Sequence, residues 1–289
     1  MDLLSVMDVK MDFKSTAKIL DAKPSNSNLL GLSVSKVKTF KDCKAKYRFT
    51  YIEKLPRKEW DFHIFGKFLH DVLEKYHIAK LAGDTRSNII VMDEALQSGI
   101  SVYKEKLSSS QEIECREIIN QYLFKIKGEE LSNEEPQVLA VEKDFNIDID
   151  GRILLNGFID KVQNDYDGVL HVADYKTTKN KKYIKNDFLQ LKTYAYVMCL
   201  EDPSIEKVRT SYVMLRHNCE SLIKEFKREE IMKMEQVFLD YADQIGVEKL
   251  WRPNTTPLCS YCDHLEVCDS GRNFTNDKKG FNKFGATDW

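Results

Sequence analysis

The chain contains no uninterrupted apolar run approaching the ~20 residues that a membrane-spanning helix needs, and no basic-then-apolar leader stands at its start. It is therefore expected to be intracellular (cytoplasmic), with no membrane partner. Neither sign of charge dominates: the net charge is −2 with 31% charged residues, so any contact with nucleic acid has to come from a local basic patch. No Gly-x4-Gly-Lys-Ser/Thr phosphate loop is found, so no fused helicase motor of that type is expected. No helix-turn-helix or finger pattern is found either, so sequence-specific readout is not indicated. Internal repeats and low-complexity blocks are also missing.

What is present is 289 residues with 42% hydrophobic content, enough to bury a sizeable core. Residues 1–30, with Lys-Pro-Ser-Asn-Ser-Asn at 23–28, read as a flexible N-terminal arm in which Met7 to Leu20 can form a short helix. The fold is expected to begin near Leu32, with a capped helix from Ser33 leading toward Cys43. Apolar residues then recur at helical spacing over Phe65–Leu81, followed by helical stretches over Ile89–Leu107 and Glu112–Lys127. From Gln137 the period changes to that of strands: Val138–Ile149, Ile153–Val162 and Val169–Thr177, with Asp150-Gly151 and Asp167-Gly168 as turns. A helix over Asp187–Leu200, a strand over Val208–Leu215, a further strand at Leu222–Phe226 and a helix over Arg228–Val247 follow. The candidate functional residues are spread over both halves. This predicts one α/β domain over 31–270, a central mixed sheet flanked by helices, with a helical insertion over about 80–130 and a polar tail at 271–289.

The middle of the chain carries Gly157-Phe-Ile-Asp160, Asp174-Tyr-Lys176 and Gln190-x-x-x-Tyr194. Strand geometry points Asp174 and Lys176 to one face. If the hairpin loop is Tyr166-Asp167-Gly168, Asp165 pairs with Val169 and Asp160 falls opposite Asp174. Two carboxylates and an ammonium then converge, an arrangement that is costly to bury without a cation and suits Mg²⁺ or Mn²⁺. A single Asp-x-Lys is more often just the wet face of a hairpin, so its neighbours decide.

Those neighbours resemble a known family. His70 within Gly66-Lys-Phe-Leu-His70, then Asp160, Asp174-Tyr-Lys176 and Gln190-x-x-x-Tyr194 occur in the order seen in RecB-like nucleases of the PD-(D/E)xK superfamily. The resemblance covers about Leu32 to Cys268 and implies a restriction-endonuclease-like core. It implies that His70, Asp160, Asp174 and the Tyr175 carbonyl hold the metal and that Lys176 is catalytic beside the two aspartates. Gln190 and Tyr194 would shape the site or meet DNA. Taken without the resemblance, His70 on its amphipathic helix reads as structural, and Gln190 and Tyr194 as a bonded pair within the fold. Glu142 on the first strand is expected in a structural or outer role near the metal. Lys179, Lys181, Lys182 and Lys185, with Tyr183 among them, are either a solvated face or a hold on the DNA backbone.

Seven cysteines in a reducing compartment are ligands or buried hydrophobes before they are disulfides. Cys115, Cys199 and Cys219 lie in apolar or mixed surroundings. Cys259-x-x-Cys262-x5-Cys268 is a compact triplet after Pro253 and Pro257, and Cys43 is the fourth candidate. Zinc in a Cys₄ or Cys₃His site, with His264 inside the triplet, and an iron–sulfur cluster both fit this spacing. One cysteine before the nuclease motifs and three after them resembles the iron–sulfur branch of the family, AddB-type and CRISPR-associated adaptation nucleases, and implies a structural [4Fe–4S] cluster. The same branch implies an exonuclease on single-stranded DNA ends; the setting is left open among recombination, repair, a mobile element and CRISPR adaptation, with a helicase or recombination protein as candidate partner. Without a fused motor the chain reads as a stand-alone nuclease or a subunit. The alternatives are a catalytically silent DNA-binding module and a zinc-stabilised interaction subunit.

Overall fold

The structure, a computed structural model, describes residues 15–24, 28–132, 134–181, 184 and 188–277. Two short strands, β1 (Lys18–Ile19) and β2 (Leu30–Leu32), precede α1 (Val34–Asp42) and α2 (Lys44–Tyr47). Ser33 caps α1 by accepting the Lys36 N–H at 3.3 Å, as its sequence position predicts. Three helices follow: α3 (Asp61–Leu81), α4 (Asn88–Tyr103) and α5 (Ser109–Ser132). The strands β3 (Gln137–Ile149), β4 (Ile153–Asn164) and β5 (Leu170–Lys176) form an antiparallel meander. Helix α6 (Leu189–Glu201) then crosses to β6 (Lys207–Met214), which lies parallel to β5 and pairs antiparallel with β7 (Glu220–Lys227). Helices α7 (Arg228–Met232), α8 (Met234–Val247) and α9 (Asp269–Asp277) complete the described chain.

The sheet runs β1-β3-β4-β5-β6-β7, with β2 parallel to the start of β4, so it is mixed as expected. Alternation along β5 and β6 divides the core in two. Val172, Tyr212 and Met214 pack with α1, α6 and α8, whereas Ala173, Tyr175 and Val213 pack with α3, α4 and α5. Both turns follow their sequence signals. Asp150 and Gly151 take φ of +57° and +63° in a two-residue turn closed by Arg152 N–H to Ile149 O, while Gly168 at +75° ends the 166–168 loop. Gly157 answers a different need, since a Cβ there would sit 2.8 Å from the Phe145 ring.

Two expectations change. The arm is docked in its described part: the buried Glu235 carboxylate accepts from Thr16 N at 2.8 Å, from the Thr16 hydroxyl and from Ser15, and β1 pairs with β3. Lys18–Ile19 is therefore strand where a helix over Met7–Leu20 was expected, and residues 7–14 of that stretch lie outside the described residues. The helix expected over Arg228–Val247 breaks at Lys233, where ψ opens to −12°. Most of the polar tail at 271–289 lies outside the described residues, and its start belongs to α9.

The helical insertion covers an uncommon group. Lys161 on β4 is 8% exposed, and burial pulls its ammonium down to about 8 from an ordinary 10.5, with Glu129 opposing. Between those two pH values the unfolded chain binds more protons than the folded one, so stability rises with pH across that window. Lys161→Met is expected to raise stability at pH 7 by about 1–3 kcal/mol and to flatten this slope, as read by urea unfolding from pH 7 to 10. An unchanged slope contradicts the assignment.

Candidate active site

The register of β4 against β5 runs Asn164↔Leu170 to Lys161↔Ala173, and continuing it places Asp160 opposite Asp174. On the other side of β4 the ladder reads Val141↔Lys161 and Lys143↔Ile159, so Glu142 falls opposite Asp160. Glu142 interrupts that ladder with φ of +44°, a left-handed conformation that costs a non-glycine residue about 1–3 kcal/mol and is typically held at functional sites. Three carboxylates thus occupy one row across three strands. From the helical layer, α3 supplies His70, whose Nε2 lies 3.1 Å from the Tyr175 carbonyl oxygen.

Asp174 is 1% exposed. Its Oδ1 accepts from Gln190 Nε2 at 2.6 Å and from the Tyr194 hydroxyl at 3.4 Å, and Lys176 forms an ion pair with Oδ2. That Oδ2 accepts no directed hydrogen bond among the described residues. Gln190 spans acid and base, because its Oε1 also accepts from Lys176 Nζ at 3.0 Å and from Lys38 Nζ at 3.1 Å. Asp160 Oδ2 accepts the Tyr175 N–H at 2.7 Å and lies 3.5 Å from His70 Nδ1. That gap is long for a hydrogen bond and suited to two ligands of one ion.

Electrostatics point the same way. Burial, then the Asp174 charge, push the Asp160 carboxyl well above its usual range. Burial also raises Glu142, with Glu74 and Asp174 adding repulsion. Burial lowers His70, which leaves a neutral imidazole with a lone pair. His70, Glu142 and Asp160 each offer a ligand atom, all within 4.8 Å of one another. Asp174 lies outside that group but shares with His70 and Asp160 a cavity of about 500 Å³, lined also by Lys176, Gln190 and Arg216. The donor set of one imidazole and hard oxygens, too crowded with negative charge to be comfortable alone, fits a divalent cation.

Sequence reasoning missed Arg216 and gave Glu142 only an outer role. Arg216 meets both Glu114 oxygens at 2.7 and 3.1 Å, donates to the Thr177 carbonyl at 2.7 Å and stacks over Phe65 at 3.8 Å. Since β6 ends level with β5 at Lys176↔Met214, the residue two beyond Met214 belongs at the rim, but only strand order reveals it. Of the basic run, Lys179 is exposed and Lys181 pairs with Glu220, while Lys182, Tyr183 and Lys185 lie outside the described residues.

At the other end, Cys43, Cys259, Cys262 and Cys268 line one small cavity. Cys43 joins α1 to α2, and 3₁₀ turns at Pro257–Tyr261 and Leu265–Val267 carry the rest. Backbone amides point at the thiols: Asn254 and Lys46 to Cys43 at 3.4 and 3.5 Å, Thr256 to Cys259 at 3.4 Å, Gly271 to Cys268 at 3.4 Å and His264 to Cys262. His264 is 2% exposed, and its Nε2 bonds the Thr50 hydroxyl at 2.8 Å. Cys115, Cys199 and Cys219 are buried, and desolvation raises their thiols to about 12, 11 and 11, so they are inert packing residues.

Residues 31–269 match the model of the PD-(D/E)XK nuclease superfamily. The chain is similar to an ATP-dependent helicase/deoxyribonuclease subunit of Streptococcus pyogenes serotype M3, at 25% identity over 185 residues, covering 62% of this chain and 17% of that protein. The serotype M49 counterpart is 27% identical over 158 residues, covering 53% and 14%. The match thus spans less than a fifth of those relatives. A solved candidate exonuclease from Eubacterium rectale aligns with a TM-score of 0.49 and 12% identity over 84% of this chain and 87% of that one. Among the described residues, no helix is long and apolar enough to cross a membrane.

Proposed function

Because the chain belongs to the PD-(D/E)XK nuclease superfamily, we propose that it hydrolyses DNA phosphodiester bonds as an exonuclease on single-stranded ends. The observation that carries this is the meeting of His70, Asp160, Asp174 and Lys176 in one cavity, with Glu142 at Asp160's flank. His70, Asp160, Asp174 and the Tyr175 carbonyl would hold Mg²⁺ or Mn²⁺, with Glu142 as a further oxygen ligand. Bound there, such an ion would supply a Lewis acid for the phosphate and for the attacking water. Lys176 holds positive charge where the phosphate charge develops. Gln190 fixes the distance between Lys176 and Asp174, with Tyr194 bracing it at 2.8 Å. In this reading Gln190, Lys179, Lys181 and Lys182 also meet the DNA backbone.

The cysteine quartet is read as a structural [4Fe–4S] site. Amide donors to every thiol support thiolate ligands. Four thiols lining one cavity suit such a cluster, and zinc held by the same residues is the alternative. The naming of the streptococcal relatives as helicase/deoxyribonuclease subunits supports an intracellular setting with a helicase or recombination partner.

The test is an assay with Mn²⁺ on single strands whose 5′ or 3′ ends are free or blocked. The wild type is expected to degrade strands with a free end, and Lys176→Ala to lower the rate by about 10²–10³-fold. Equal rates for the two proteins, or no cleavage by either, would remove the enzyme.

A further inference from the structure

A chain of rings leads from the cysteine-bearing segment to the mouth of the catalytic cavity. Tyr261, between Cys259 and Cys268, lies 5.9 Å from Trp60. Trp60 stacks on Phe62 at 5.9 Å with 20° between planes, and Phe62 meets His63 edge-on at 4.4 Å. Phe62 and His63 line the same cavity as His70 and Lys176. Trp60 precedes the first turn of α3, and His63, Lys67 and His70 follow at spacings that keep them on one helix face. The track from Trp60 to His70 therefore runs about 15 Å along the helix, the reach of a few nucleotides.

The rings are accompanied by positive charge and are fixed in place. Lys58 Nζ stands 4.0 Å from the Trp60 ring, and Lys67 lines the cavity. Trp60 Nε1 donates to Asp263 at 2.8 Å, so the segment that carries the cysteines holds one end of the row. Partly exposed rings that border a phosphate-cleaving cavity, with lysines beside them, are what unpaired bases stack on, whatever their sequence, whereas a duplex keeps its base faces covered.

We infer that Trp60, Phe62 and His63, backed by Tyr261, form a base-stacking platform that delivers single-stranded nucleic acid to the catalytic cavity. This rests on the nuclease reading of that cavity and adds the features that select an unpaired strand.

The test is fluorescence anisotropy on the Lys176→Ala protein, comparing labelled oligothymidylate with an abasic oligomer of the same length. The parent should bind oligothymidylate at least tenfold more tightly. Phe62→Ala and Phe62→Leu should each weaken oligothymidylate binding by about tenfold and leave the abasic strand unchanged. Trp60→Ala should do the same, while Trp60→Phe, which keeps a ring but loses the Asp263 bond, should retain most of the affinity. Equal affinity of the parent for both strands, or equal losses on both, would overturn the platform and leave the rings as packing for the cysteine loop. No cleavage is needed for this readout, so bases bound by an inactive wild type would refute the nuclease and spare the platform. Cleavage indifferent to Phe62 would do the reverse.

Discussion

Asp160→Asn is expected to lower cleavage by at least about a thousandfold, the loss of several kcal/mol of transition-state stabilisation, while making the metal-free protein more stable. The two effects share one cause. Asp160 is 7% exposed and stands between Glu142 and Asp174, so its negative charge is disfavoured until a cation arrives. Its folded carboxyl holds its proton well above the usual range, so whatever stability it lends is fully present below the unfolded value and is lost as pH rises through the folded one. Asparagine can still accept the Tyr175 N–H and carries no charge, so the variant should melt higher than wild type at neutral pH without metal. The two should converge in acid. Adding Mn²⁺ should reverse the order, raising the melting temperature of wild type and leaving the variant nearly unmoved. Thermal melts with and without Mn²⁺ at both pH values read all of this. A variant destabilised at neutral pH without metal would show that Asp160 is there to hold the fold.

The second large effect concerns the far end. Cys43 and Cys259 are separated by more than two hundred positions, so a site that ties them removes a great deal of freedom from the unfolded chain. By analogy with covalent crosslinks of long loops, losing it costs about 5 kcal/mol, comparable to the whole stability of many domains. Cys262→Ala should therefore purify colourless, with a lowered urea midpoint and α1 and α2 open to proteolysis, while wild type should be brown and contain iron. A brown, fully folded Cys262→Ala protein would contradict the quartet. Zinc without iron in wild type would replace the cluster and keep the closure.

Much of this site is legible in the sequence because it depends on strand arithmetic. The Gly168 turn defines the hairpin loop, and counting back from it sets Asp160 opposite Asp174. Lys176 follows from the two-residue period. Glu142 resists because its place beside Asp160 goes with a left-handed residue inside a strand, which no propensity announces. Arg216 and the Trp60–Phe62 stack are hidden for another reason. Each depends on which elements become neighbours, β6 beside β5 and the cysteine loop beside α3, and those contacts join residues far apart in the chain. The docking of the arm is equally hidden, because its anchor is Glu235, about two hundred residues away.

The most direct test is anomalous scattering from a crystal soaked in Mn²⁺. One strong peak should lie within ligand distance of His70, Asp160 and Asp174, with Glu142 turned toward it. A soaked crystal with no peak among these residues, or with His70 and Asp160 drawn apart, would contradict the metal site on which the proposed chemistry rests.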